Sequence, residues 1–289
     1  MIKPGTPSSR PPKPQSGGQL PDKPLIVQTR NGVRLALSDD GPRASDDDAL
    51  LFIHGWTCDS ASWRSQRRHF GASRRVVVPD LRGHGSSDAP SQNYGVGDFA
   101  DDLKWQLDEL KITRAIVVGH SMGGAIGLEL AARHPDRISG LLMIDTVLFP
   151  SPDFLAAVRQ LLSIIKESDL ESCLREMETF LFQATDDLDM RAEIVKRMSA
   201  TPRHVAISAM TGLIFEHDPT PALEACKAPV GYIAAFPVLA DIARMHALCP
   251  QLMSSQTLGS GHFSSWFVPD QVNAMIETFI RIAGSARTA

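Results

Sequence analysis

The feature that most constrains this chain is the stretch Ala115-Ile116-Val117-Val118-Gly119-His120-Ser121-Met122-Gly123-Gly124-Ala125. An apolar β-branched run stops at a glycine, a serine follows, and a helix-forming run continues over residues 125–133. Gly119 to Gly123 fits G-x-S-x-G, the sharp strand-to-helix turn that lifts a serine hydroxyl out of a sheet. A serine at such a turn sits in a strained conformation, so side chains two positions either side would collide with neighbouring backbone. The strand before and the helix after make Ser121 the candidate nucleophile.

Strand and helix signals alternate around that turn. Residues 25–37 alternate apolar and polar about Asn31-Gly32 and predict a β-hairpin, and residues 39–48 read as a polar loop. Residues 49–53 form a short buried strand that runs into His54-Gly55-Trp56-Thr57. A helix is expected over residues 63–70 and a strand over 75–78, which leads to a glycine-rich loop at 79–88. Phe99, Leu103, Leu107 and Leu110 recur at helical spacing. Residues 138–144 are another buried strand, stopping at Asp145. From residue 149 to 227 there is no strand-like run but four helical ones, over 154–165, 170–182, 190–198 and 205–215. A strand at 229–235, a helix at 240–248, a last strand at 252–258 and a closing helix at 269–282 complete the chain. Alternating apolar strands and helices predict an α/β protein, its parallel sheet covered on both faces. Ligands in such sheets bind outside the carboxyl ends of the strands, so the loops after Ile53, Val78, Val118 and Ile144 should converge on one crevice.

Composition narrows the partners. The 289 residues carry a formal net charge of −4, with 21% charged residues, which points to neither nucleic acid nor an anionic membrane surface. Cys58, Cys173, Cys226 and Cys249 are scattered without metal-ligand spacing and read as free thiols of a reducing, cytoplasmic compartment. No apolar run reaches the roughly 18–20 residues that span a bilayer. Residues 1–24 hold prolines, glycines and basic residues without an apolar centre, and read as a disordered tail, not a secretory signal. The glycine-rich loops lack a P-loop lysine and the histidines lack HExxH spacing, so no metal site and no cofactor is expected.

Four motifs occur in a telling order: His54-Gly55-Trp56, then Asp80 to Asp88 as D-x-R-G-H-G-x-S-D, then the Gly119–Gly123 turn, and Gly261-His262-Phe263 before the last helix. In this the chain resembles the α/β-hydrolase fold over nearly everything after residue 25. The resemblance implies a mostly parallel sheet flanked by helices, formed by residues 25–148 and 228–289. It also implies a helical cap, residues 149–227, inserted before the last two strands. Serine is a poor nucleophile at its free pKa and needs a base within hydrogen-bonding reach. Of nine histidines, His262 alone follows a final strand on a glycine-flanked loop, the position from which this family takes its base. The family's oxyanion donors are two backbone N–H groups, which correspond to Met122 and Trp56. The Trp56 indole either walls the pocket or packs in the core. His54 and His120 border the site, and bonding to loop backbone is the role expected of them. With Phe149 and Phe263 they are also candidates for the substrate pocket. The cap residues Leu155, Leu162, Phe180, Phe182, Met210, Leu213 and Phe215 suggest an apolar lining and a small hydrophobic or aromatic substrate.

The carboxylate that should orient the imidazole is less regular. Most members of the family place it after the strand that resumes beyond the cap, yet here that strand is followed by Phe236-Pro237-Val238-Leu239-Ala240, and the first acid is Asp241. Asp145 instead stands at the end of the preceding core strand, where an acid is rarely placed for packing. Certain haloalkane dehalogenases and the zearalenone lactonases take their acid from this strand. Asp145 is therefore the expected acid, with Asp241 the alternative. The implied activity is a serine hydrolase acting on a carboxylic ester or lactone through an acyl-enzyme. Haloalkane dehalogenases and epoxide hydrolases carry aspartate where this chain has Ser121. C–C bond hydrolases and amidases keep the serine and remain open, as does a non-catalytic receptor on the same fold. The chain also resembles cofactor-independent dioxygenases of N-heteroaromatic quinolones. The shared features are Gly55-Trp56, Val78-Pro79 before Arg82-Gly83-His84-Gly85, Pro152-Asp153-Phe154, and Phe263 with Val268-Pro269-Asp270. It departs from them at Met122, where that family has histidine.

Overall fold

A computed structural model describes residues 25–43 and 48–285; the expected tail over residues 1–24 lies outside the described residues. The chain opens with the antiparallel hairpin β1 (Ile26–Arg30) and β2 (Val33–Asp40). Asn31 and Gly32 both have positive φ, 51° and 83°, which matches the turn to the right-handed twist of its strands. Next come β3 (Ala49–Ile53), a 3₁₀ turn (Ser60–Trp63), α1 (Arg64–Gly71), β4 (Val76–Pro79) and α2 (Val96–Glu109). They are followed by β5 (Ala115–His120), α3 (Met122–Arg133) and β6 (Ile138–Ile144).

The helical stretch then holds α4 (Pro152–Glu167), α5 (Leu170–Glu176), α6 (Glu178–Leu181), α7 (Leu188–Ser199), α8 (Arg203–Thr211) and α9 (Thr220–Ala225). Ser151, Asp169 and Asp187 cap α4, α5 and α7 by accepting from backbone N–H groups of the first turn. The helix expected over 170–182 is broken at Met177, and α8 runs directly into a π-helical turn, Gly212–Glu216. The chain ends with β7 (Val230–Ala234), α10 (Ile242–Leu248), β8 (Met253–Gln256), α11 (Ser264–Phe267) and α12 (Pro269–Ser285). No helix among the described residues is long and apolar enough to cross a membrane.

The eight strands form one sheet in the order β1-β2-β4-β3-β5-β6-β7-β8, parallel from β4 onward. The central strands are buried along their whole length and almost entirely apolar, because both faces are covered. Leu50 and Phe52 of β3, with Ile116 and Val118 of β5, pack in a layer with Trp63, Phe70, Val272, Ile276 and Phe279. Ala49, Leu51 and Ile53, with Ala115 and Val117, face the opposite layer, which includes Leu103, Ile126 and Leu130. The alternation required by a pleated strand is thus present, although both halves of it are hydrophobic.

Residues 39–48 do not form a continuous loop. Asp39 and Asp40 extend β2, paired in register with Val77 and Val76. Arg75 binds the buried Asp39 carboxylate through two bonds of 2.9 and 2.8 Å, and Arg67 pairs with Asp40. These guanidinium partners allow two acids to end a strand beside the core.

Candidate active site

Ser121 lies between β5 and α3 at φ 53°, ψ −121°, a backbone conformation that costs energy for any residue with a Cβ. Its N–H donates to Ile144 O of β6 (2.9 Å), and its own carbonyl accepts from Gly124 N (3.0 Å). The flanking glycines make the turn sterically possible. A Cβ on Gly119 would stand 2.6 Å from Gly124 N and closer still to Gly123 O, and one on Gly123 would stand 2.6 Å from His54 O and closer still to Ile53 O.

Asp145 follows β6 directly, also with positive φ (46°), and is 2% exposed. Its N–H donates to Ile233 O (2.8 Å), which fixes its backbone to β7. Oδ1 accepts from Ala235 N (3.1 Å), and Oδ2 is 2.7 Å from His262 Nδ1. The carboxylate is therefore satisfied on both oxygens, and the imidazole is held as the tautomer with its proton on Nδ1. Asp241 is elsewhere: it caps α10, accepting from Arg244 N at 2.9 Å.

Ser121 and His262 line one cavity, together with Trp56, Met122, His120 and Phe263. The rest of its wall is largely apolar, including Met177, Phe180 and Leu181 from α5–α6, Met210, Leu213 and Ile214 from the end of α8 and its π turn, and Leu239 from the loop after β7. No lysine, arginine, aspartate or glutamate lines it among the described residues. Of the cap residues expected to line it, Phe180, Met210 and Leu213 do. Phe182 stacks on Phe263 (ring centroids 5.5 Å apart) and Phe215 lies under Arg159. The chemistry-bearing residues carry local motifs, but Met177, Leu181 and Leu239 do not. An apolar side chain facing a cavity follows the same periodicity as one facing a core, so nothing in the sequence separated them.

Two expected pocket residues stand outside the cavity wall. His54 is fully buried: its Nδ1–H donates to Gly55 O (2.9 Å) and its Nε2 accepts from Leu81 N (3.0 Å), so both nitrogens are spent on loop backbone. Phe149, at φ 55°, places its ring beneath the Arg244 guanidinium, 3.9 Å from the centroid. His120 takes a mixed role. It lines the cavity, and its Nε2–H donates to the carbonyl of His262 (2.8 Å), bracing the loop that carries that imidazole. Burial, and secondarily the neighbouring His262, push the pKa of His120 down to about 3. Burial likewise lowers His84 to about 3.

These two histidines make acid stability testable. Unfolded, each would titrate near 6.5. The unfolded chain therefore binds more protons than the native one between about pH 6.5 and 3, and stability present above that window is lost as pH falls through it. Urea denaturation at stepped pH is expected to show stability falling by up to about 1.4 kcal/mol per pH unit for each histidine. The slope should be smaller in His84→Phe; an identical slope in that variant would refute the assignment.

Among the described residues, no group of three or more His, Cys, Asp or Glu is arranged to hold a metal ion, and all four cysteines are buried free thiols. A family model described as alpha/beta hydrolase fold matches residues 48–183. The enol-lactonase of Burkholderia xenovorans LB400 superposes with a TM-score of 0.79 at 23% identity, over 89% of this chain and 100% of that one. This chain has the α/β-hydrolase fold. Another solved α/β-hydrolase-fold neighbour, a thermophilic esterase from Thermogutta terrifontis, gives a TM-score of 0.78 at 25% identity, over 90% and 99% of the two chains. Human epoxide hydrolase 4 is 38% identical over 106 residues, 36% of this chain and 28% of that protein. The chain spans less than half the length of the first curated relatives it matches, 43% and 34%.

Proposed function

We propose that this α/β-hydrolase-fold protein is a serine hydrolase that cleaves a carboxylic ester or lactone through an acyl-enzyme. The observation that carries this reading is the strained Ser121 sharing a cavity with His262, whose Nδ1 is 2.7 Å from the buried Asp145 carboxylate. With Nδ1 committed to Asp145, His262 Nε2 takes the Ser121 proton as Oγ attacks the carbonyl carbon. The backbone N–H groups of Trp56 and Met122 receive the developing oxyanion. Collapse of the tetrahedral adduct expels the alcohol, which takes the proton from His262, and a water activated by the same imidazole releases the acid. The esterase neighbour supports the chemistry. Residues 149–227 act as the cap, and the uncharged wall selects a neutral, hydrophobic or aromatic substrate.

A p-nitrophenyl ester of a medium-chain or aryl acid is expected to give a burst of p-nitrophenolate of about one equivalent per enzyme. Mass spectrometry of the quenched reaction should find the acyl group on Ser121. Turnover of a heteroaromatic substrate that consumes O₂ and releases CO, without an acyl adduct, would replace the reading with the dioxygenase chemistry.

A further inference from the structure

We infer that Trp56 and Thr201 are positioning residues, which fasten the oxyanion loop after β3 to one corner of the helical insertion, so that the oxyanion site is set only while that corner is seated. The inference rests on the hydrolase reading above.

The loop is strained and held from outside. Thr57 has φ 56°, an outlier conformation for a β-branched residue, which persists only where the surroundings over-determine it. Its Oγ1–H donates to Trp56 O (2.7 Å), a bond within the loop. Two further bonds reach 144 and 150 residues along the chain: Thr201 Oγ1–H donates to Thr57 O at 3.1 Å, and the Trp56 indole N–H donates to Ala206 O of α8 at 2.8 Å. Just beyond the loop, Arg197 of α7 pairs with Asp59 at 2.9 Å, and Arg64 pairs with Glu193. All four partners belong to residues 193–206, the second half of α7, the turn that follows it and the start of α8.

The opposite side of the loop faces the nucleophile. A Cβ on Gly55 would be 3.2 Å from Ser121 Cβ, so Gly55 carries the Trp56 peptide close past Ser121. A displacement of α8 transmitted through the indole would move the Trp56 N–H relative to the position where the oxyanion forms. Misplacement by about 1 Å costs on the order of 10²-fold in rate. The insertion then does more than shape the pocket: its seating helps complete the site.

The test compares Thr201→Val, Thr201→Ser and Trp56→Phe, with folding checked by circular dichroism. The probe is a trifluoromethyl ketone analogue of the p-nitrophenyl ester substrate. Ser121 Oγ adds to its carbonyl carbon, the π pair becomes the oxyanion and the serine proton passes to His262. The matching carbinol cannot react and reports cavity binding alone.

Thr201→Val and Trp56→Phe are expected to lose about ten- to a hundredfold in kcat, with KM changed less than about twofold. Ketone affinity should fall by a similar factor while carbinol affinity stays constant. Thr201→Ser keeps the hydroxyl and should stay within about twofold of wild type. Equal losses for ketone and carbinol, or unchanged kcat in Thr201→Val, would overturn the inference; should Trp56→Phe fail to fold, the Thr201 pair decides it. A wild-type protein that neither turns over esters nor binds the ketone in a Ser121-dependent way removes the hydrolase reading and this inference together.

Discussion

Asparagine in place of Asp145 is expected to lower kcat about 10⁴-fold, and alanine in place of Ser121 about 10⁶-fold, with the double variant no worse than Ser121→Ala alone. Asp145 Oδ2 accepts the Nδ1 proton of His262 at 2.7 Å, while Oδ1 is already engaged by Ala235 N. An asparagine that keeps the Ala235 bond must turn its NH₂ toward Nδ1. That favours the imidazole tautomer with its proton on Nε2, the atom needed to accept from Ser121. The imidazolium formed during attack also loses its counter-charge in a site where Asp145 is 2% exposed. Asp241→Asn is the control. Its side chain caps α10, asparagine caps a helix about as well, and kcat should stay within about twofold. Steady-state hydrolysis of the p-nitrophenyl ester reads all four variants. An Asp145→Asn enzyme within tenfold of wild type would mean that the acid acts from elsewhere.

How far such a site can be read from the sequence depends on where its constraint lies. The Ser121 turn is legible because its constraint is local: two glycines, a strand before and a helix after lie within a dozen residues. Asp145 is legible for a different reason, as a lone acid directly after the apolar run Leu141 to Ile144. The parallel sheet could be read from its continuous hydrophobic runs, although its division into two packing layers could not, since both faces of β3 and β5 are equally apolar.

Other features depend on partners distant in sequence. Asp39 and Asp40 look like loop residues until Arg75 and Arg67 neutralise them on β2. His54 sits beside the site motif, yet its ring is committed to Leu81 and Gly55. The six-residue α9 and four-residue α11 are too short to show periodicity, and the π turn at Gly212–Glu216 leaves no signature in a 3.6-residue pattern. That turn carries Leu213 and Ile214 into the cavity wall, so the pocket's shape was among the least legible features.

The glycine two positions after Ser121 should tolerate no side chain at all. Gly123→Ala is expected to lower the melting temperature by at least about 10 °C, or to yield no folded protein, as a core backbone clash of several kcal/mol would in a domain of this size. The added carbon would meet two main-chain carbonyls, those of Ile53 and His54, at the end of β3. Neither can swing aside like a side chain. Ile53 is paired in register with Gly119 of β5, and both His54 ring nitrogens are bonded to the loops on either side. Relief would require α3 to draw back from β3, which pulls Ser121 away from Ile144 O and so away from the strand end that presents Asp145. Gly284→Ala is the informative contrast. It lies exposed near the end of α12 with nothing within 4 Å of a new Cβ, and should stabilise by up to about 1 kcal/mol through helix propensity. A Gly123→Ala protein that melts like wild type would show that the turn can relax without its close approach to β3. The strained geometry of Ser121, on which the proposed chemistry depends, would then have no steric cause.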